Sequence, residues 1–290
     1  MIGNKNRVIC IYLTVKLALY LNRFVCLGKI HSYIFSRLYR VLSLEFTIKQ
    51  CVAWGGGLTT AQDWQSYAQG KKELSDSQEL PALKQIPAMQ RRRLSPFAKL
   101  ALHCALTAAD ECLTTVPSVF ASRHGDLAKT SKLISDVAAK EVLSPTQFGL
   151  SVHNAVGGLF SIYTGNKAPL TAVSAGEDTF FTAIIDALCK LSANEYSQVL
   201  VVFTETVVPE IYQDYVAQEE INVACALLLA APKQGEEVYQ LTLQGNTENQ
   251  QSENSQMQVL DFLNFYYSSI KQVSVRSKRH LWQLTQTTNK

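Results

Sequence analysis

Between Ser144 and Phe180 the chain reads SPTQFGLSVHNAVGGLFSIYTGNKAPLTAVSAGEDTF, and this stretch concentrates the residues whose types and spacing suit chemistry. Ala172-Val173-Ser174-Ala175-Gly176 is one substitution from G-x-S-x-G, the sharp strand-to-helix turn on which hydrolases raise a nucleophilic serine. A short apolar strand, small residues at a turn and then a helix would place such a group where the helix dipole favours negative charge. A serine nucleophile also needs an acid and a histidine after it, and the only later histidine is His280, in a basic C-terminal stretch. A stand-alone acyl-thioester hydrolase or decarboxylase using Ser174 is therefore kept as the alternative function. Glu177 and Asp178 are adjacent carboxylates at the start of the helix, where they favour its dipole. Glu177 has a second reading, in which it projects toward a partner. His153, beside Asn154, reads as a hydrogen-bonded structural residue.

Elsewhere the signals are weaker. Gly55-Gly56-Gly57 lacks the Lys-Ser/Thr or helix-opening glycine of a phosphate loop and reads as a backbone turn. Arg91-Arg92-Arg93 reads as a solvated or partner-facing turn ahead of an anionic ligand site. The seven cysteines (10, 26, 51, 104, 112, 189, 225) form no C-x-x-C and are odd in number. Neither a zinc site nor a disulfide framework is expected, and a reduced set points to the cytoplasm. Cys189 falls at a core-packing helical position. No metal and no cofactor are expected.

The elements that must position these residues follow from the pattern. FTIKQCVAW from Phe46 reads as a strand, and Lys71 to Gln85 as a polar surface loop or short helix. Ser95-Pro96 supplies a hydroxyl cap and a proline at the first helical position. Phe97, Leu100, Ala101, Cys104, Ala105, Ala108 and Cys112 then recur at helical spacing. Val116 to Ser122 reads as a strand, and Leu127 to Lys140 as a helix with Leu133, Ile134 and Val137 inward. Leu170 to Val173 reads as a short buried strand, and Asp178 to Leu191 as a helix stacking Phe181, Ile184, Ile185 and Leu188. Gln198 to Thr204 and Asn222 to Ala231 have the continuous apolar composition of strands buried on both faces, and Val238 to Leu243 is a third strand. Asn246 to Gln258 is a polar loop, followed by a helix from Val259 to Ile270 and a strand from Leu281 to Leu284. Strands alternating with helices, then neighbouring strands, imply a layered α/β fold with a mixed sheet.

Of 290 residues 47% are apolar and 18% charged, enough core-forming side chains for a folded protein. The 27 basic residues slightly outnumber the 24 acidic ones. Lys5, Arg7, Lys16, Arg23, Lys29, Arg37 and Arg40 fall within the first 43 residues with no acid among them, so the body is mildly acidic. With no basic stripe interleaved with aromatics, nucleic-acid binding is not expected. The apolar runs Val8 to Tyr20 and Phe24 to Ile34 are broken by Lys16, Lys29 and His31, so no stable membrane span is expected. The segment 1–43 reads as translated from upstream of the natural start, with an interfacial amphipathic anchor as the alternative. The expected organisation is this extension, a domain over 44–245, and a polar loop with a helix and strand over 246–290.

Several strings together resemble the β-ketoacyl synthases, condensing enzymes of thiolase-like fold. They are Asn154, Gly157-Gly158, Ser161-Ile162 and Gly165-Asn166-Lys167-Ala168-Pro169, followed by strand, turn and helix. Trp54, Asp63-Trp64, Arg91-Arg92-Arg93-Leu94-Ser95, Ser122-Arg123-His124-Gly125, Ser144-Pro145-Thr146, Ser151-Val152-His153-Asn154 and Ala175-Gly176-Glu177-Asp178-Thr179 are closer still to the short ketosynthase-like chain-length factors of aryl polyene and related type II clusters. The resemblance runs from about Phe46 to Leu243. It implies a single ketosynthase N-terminal half, with the position of the acyl-accepting cysteine falling at Gly176, so that no catalytic residue is expected. It further implies a heterodimer with an active ketosynthase, access to acyl carrier protein through that complex, and a role in setting product length. Ser174, Gly176, Glu177, Asp178, His153 and Asn154 are the expected channel or partner residues. The strand Gln198 to Thr204 and the turn after Val173 are expected to face partner and channel. A degenerate pseudo-enzyme is a third reading.

Overall fold

The computed structural model describes residues 42–193, 196–216, 220–245 and 257–288, so the extension up to residue 41 and most of the expected polar loop lie outside the described residues. In chain order the elements are β1 (Leu42–Gly55), α1 (Ala61–Ala68), α2 (Ala88–Arg91), α3 (Pro96–Ala108), β2 (Ser118–Ala121), α4 (Leu127–Ala138), α5 (Pro145–Gly149), α6 (Ala155–Thr164), β3 (Leu170–Val173), α7 (Thr179–Ser192), β4 (Gln198–Glu205), β5 (Val223–Ala230), β6 (Glu237–Gly245), α8 (Gln258–Tyr267), β7 (Gln272–Arg276) and β8 (His280–Thr288). Short 3-10 segments lie at Asp110–Cys112, Gly176–Asp178 and Glu210–Tyr215.

The eight strands form one mixed sheet in the order β3-β2-β4-β5-β1-β6-β8-β7. β3, β2 and β4 run parallel, while every other neighbouring pair is antiparallel. β1 belongs to both halves of the sheet. Its first residues, Leu42 to Phe46, pair with β6, and those from Thr47 to Gly55 pair with β5 across a register shift between Ile48 and Gln50. The strand ends in the glycine turn expected from the sequence. Gly56 and Gly57 hold φ of 57° and 77°, a region that costs residues with a Cβ.

Core side chains collect on both faces of the sheet. On one face α3 lies against β4, β5 and β1, opened by Ser95 Oγ accepting from the Ala98 N–H at 3.2 Å. It is buried along most of its length because small Ala101, Cys104, Ala105 and Ala108 allow close approach. On the other face α7 packs on β2 and β4, and α8 and β8 cover it from outside. Phe180 meets Phe203 of β4 at 5.5 Å and Phe262 of α8 at 5.1 Å, and Phe181 stacks on Trp282 of β8 at 5.3 Å. Each such aromatic stabilises by roughly 1.5–3 kcal/mol relative to exposure.

Four expectations change. Ile134 and Val137 are 55% and 58% exposed and Leu133 only half-buried, so α4 turns its apolar stripe to solvent instead of to the core. The Leu170–Val173 strand is real but half-exposed, because β3 is the edge of the sheet. The strand Gln198 to Thr204 cannot face a partner, since β4 is hydrogen-bonded on both sides by β2 and β5. β7, a five-residue strand, went unanticipated and completes a C-terminal hairpin with β8. Among the described residues no helix is long and apolar enough to cross a membrane.

Candidate functional site

The chemistry-bearing residues gather where β2, β3 and β4 end together. Parallel pairing brings Ala121 level with Val173 and Phe203, so the segments after each strand emerge side by side. β3 does not turn directly into its helix. A 3-10 turn, Gly176–Asp178, intervenes before α7, and Ser174 therefore lies five residues before the helix and not at its N-terminus. Gly176 makes the turn with φ of 62°, and no atom outside its neighbours lies within 4 Å of where a Cβ would stand. Thr179 locks the turn by donating from Oγ1 to the Gly176 carbonyl at 2.7 Å and accepting from the Ala175 N–H at 2.9 Å.

Ser174 is exposed, and its hydroxyl donates to the Arg123 carbonyl at 3.0 Å. The later histidine is close to the turn but is engaged elsewhere. His280 Nδ1 lies 2.8 Å from Asp178 Oδ2, and Asp178 Oδ1 accepts from Trp282 Nε1 at 2.7 Å and from Gln258 Nε2 at 3.1 Å. Burial alone would raise the Asp178 carboxyl, but the bonds from His280, Trp282 and Ser277 outweigh it and hold the group below its ordinary value. Asp178 makes no capping bond to α7, so its carboxylate belongs to the chain's own core and not to a surface open to a partner. Glu177 also turns back, pairing with Lys278 Nζ at 3.1 Å.

His153 is half-buried and its Nε2 donates to the Ser122 carbonyl at 2.8 Å. Asn154 is exposed at the start of α6 and makes no side-chain capping bond. Asn166, by contrast, is buried and staples the loop before β3. Its Nδ2 donates to the carbonyls of Leu113 and Val116 at 2.8 and 2.9 Å, and its Oδ1 accepts from the Ala168 N–H at 2.7 Å. Burial raises the thiols of Cys104, Cys189 and Cys225, the opposite of an activated nucleophile.

Two carboxylates that the sequence reading passed over complete the site. Glu205, the last residue of β4, and Glu220, just before β5, line one shallow cleft with Arg123, Gly176, Glu177, Phe180 and Met257. The signal for Glu205 was an acid closing a largely apolar strand, QVLVVFTE. Among the described residues no group of three His, Cys, Asp or Glu side chains is placed to hold a metal ion.

The family model for the β-ketoacyl synthase N-terminal domain matches residues 64–284. No curated protein matches the chain. Among solved structures it is similar to a ketosynthase (ApeO) in complex with its chain length factor (ApeC) from Xenorhabdus doucetiae. That match has a TM-score of 0.73 and 28% identity and covers 83% of this chain and 99% of that chain. A type II acyl-carrier protein in complex with its ketosynthase, AntDE:AntF, matches at TM-score 0.62 and 13% identity, over 85% and 100% of the two chains. A ketosynthase from module 1 of the bacillaene synthase of Bacillus amyloliquefaciens FZB42 matches at TM-score 0.52 and 11% identity, over 72% of this chain and 47% of that chain. The last two likenesses are of fold alone, and the chain spans about half the length of the bacillaene ketosynthase. The fold is thiolase-like, and with a family match running from Trp64 in α1 to Leu284 in β8 the chain belongs to the β-ketoacyl synthase N-terminal domain family.

Proposed function

We propose that the chain is a non-catalytic subunit that pairs with an active β-ketoacyl synthase and limits the length of the acyl chain built there. The observation that carries this reading is the turn itself. The position at which the resemblance expects the acyl-accepting cysteine is Gly176, and the hydroxyls beside it are committed to backbone carbonyls, Ser174 to that of Arg123 and Thr179 to that of Gly176 itself. A subunit of this kind needs no chemistry, because an apolar tunnel wall sets by steric contact how many carbons fit.

Support for pairing comes from the side of the sheet that ends in β3. Its outer edge has no strand partner among the described residues, which leaves a row of backbone donors and acceptors for another chain. α6, which packs against β3, exposes Ile162, and α4 and α5 bury no side chain and expose Ile134, Val137 and Phe148. Acyl chains would reach the complex on acyl carrier protein, and the active subunit would supply every reacting group.

Co-expression of the full chain with the ketosynthase encoded beside it, followed by size-exclusion chromatography with light scattering, tests the reading. A one-to-one complex is expected, and Gly176→Phe is expected to preserve it while shortening the product. A folded chain that ignores the ketosynthase, or that hydrolyses an acyl thioester alone and loses this activity in Ser174→Ala, would overturn it.

A further inference from the structure

Three residues lining the cleft beside Gly176 each bury an acceptor oxygen that has no hydrogen-bond partner among the described residues: Glu205 Oε2, Glu220 Oε2 and Gln258 Oε1. Glu205 is 1% exposed, the Glu220 side chain 3% and Gln258 7%. Gln258 uses its Nε2 on Asp178 at 3.1 Å, so what it has left is an oxygen. The cleft is therefore rich in buried acceptors and poor in donors, and buried polar groups are ordinarily satisfied. Its space of about 20 Å³ suits one occupant the size of a water molecule.

Charge selects the occupant. Glu205 Oε1 accepts from Ser122 Oγ at 3.0 Å and from the Arg123 N–H, and Glu220 Oε1 accepts from His124 Nε2 at 3.0 Å and lies 3.6 Å from the Arg123 guanidinium. Such donors favour the ionised form of both acids. Two buried negative charges then share one guanidinium, and an uncompensated buried charge is costly. The neighbouring charged groups are paired among themselves, Glu177 with Lys278 and Asp178 with His280. The stretches 217–219 and 246–256, next in sequence to Glu220 and Met257, contain no Lys, Arg or His. One positive charge is missing. A water molecule would supply donors without charge, and a divalent cation would overshoot.

We propose that this cleft binds one water-sized monovalent cation, a potassium or an ammonium ion, through the oxygens of Glu205, Glu220 and Gln258. The site belongs to this chain alone and needs no partner subunit. Its three oxygens come from the end of β4, the segment before β5 and the first turn of α8, so the ion ties the cover of α7 to the centre of the sheet. A ligand that binds the folded chain and not the unfolded one stabilises by mass action, raising the folded-to-unfolded ratio about a hundredfold at a hundred times its dissociation constant.

Thermal unfolding of the full chain at constant ionic strength, with tetramethylammonium chloride replaced stepwise by potassium or ammonium chloride, tests the site. The titration is run at about pH 8, above the value of about 7 to which burial pushes the Glu205 carboxyl, so that protons do not compete. A saturable rise in melting temperature is expected, and it is expected to vanish in Glu220→Gln, which keeps an acceptor but removes the charge deficit. A rise with both salts assigns the site to any cation of this size, a rise with potassium alone to a bare ion, and a rise with ammonium alone to an N–H donor. Equal melting in all three salts overturns the proposal, as does a larger rise with magnesium chloride or a rise that persists in Glu220→Gln. Should Glu220→Gln fail to fold, wild-type crystals soaked in thallium(I) acetate serve instead, thallium standing in for potassium or ammonium. An anomalous peak between Glu205, Glu220 and Gln258 supports the site, and its absence there overturns it.

Discussion

Asp178 carries more of the structure than its place in the turn suggests. Three side chains from α8 and β8 converge on it, so replacing it leaves the Trp282 and Gln258 N–H groups and His280 without their acceptor in a buried setting. Asp178→Ala is expected to cost about 3 kcal/mol in urea unfolding. Because the native carboxyl sits below its ordinary value, its contribution is present above about pH 4 and is lost as pH falls through the native value. The wild type should therefore lose stability on acidification more steeply than Asp178→Ala. At this scale the sequence was only partly legible. Ser174, Gly176 and His153 could be singled out from their neighbours, but that Asp178 points inward depends on His280 and Trp282, about a hundred residues away. Glu205 and Glu220 escaped notice for the same reason, since an acid at a strand end reveals its burial only when the cover is known.

At the scale of elements, α6 approaches the sheet so closely that residue 157 has no room for a side chain. A Cβ there would stand 2.7 Å from Leu170 Cδ1 and 3.1 Å from Phe120 Cδ2, whereas at Gly158 nothing lies within 4 Å. Gly157→Val is expected to cost about 2 kcal/mol through overpacking. Gly158→Ala should instead raise stability by up to about 1 kcal/mol, the helix-propensity gain of alanine over glycine. Equilibrium denaturation of the pair checks both signs. Local signals were read well wherever they decide the outcome locally, as in the Ser95 cap of α3, the apolar run of β5 and the stacked face of α7. They failed for α4, because periodicity reveals an apolar face without saying what covers it. β4 was misplaced on similar grounds: composition reveals burial on both faces, and only the strand order shows that this means the centre of the sheet.

For the whole molecule, the question is how the ketosynthase-like fold keeps α7 covered. α8 and the β7–β8 hairpin supply the cover, with Phe262 on Phe180 and Trp282 on Phe181. Burial of Phe262, Leu263, Trp282 and Leu284 at roughly 1.5–3 kcal/mol each is comparable with the 5–15 kcal/mol of net stability of an ordinary domain. Deleting residues 257–290 should accordingly give a protein that binds a hydrophobic dye and lacks near-ultraviolet circular dichroism, and a cooperatively melting truncation would contradict this account. The double membership of β1 bears on biosynthesis. Thr47 pairs with Ala230 and Leu42 with Leu243, so the first strand of the described chain has no strand partner until synthesis has passed β5 on one edge and β6 on the other. At about 5–20 residues per second, an apolar strand with both edges bare waits at the ribosome for on the order of ten seconds or more, and newborn chains, rather than finished ones, are where chaperones would find it.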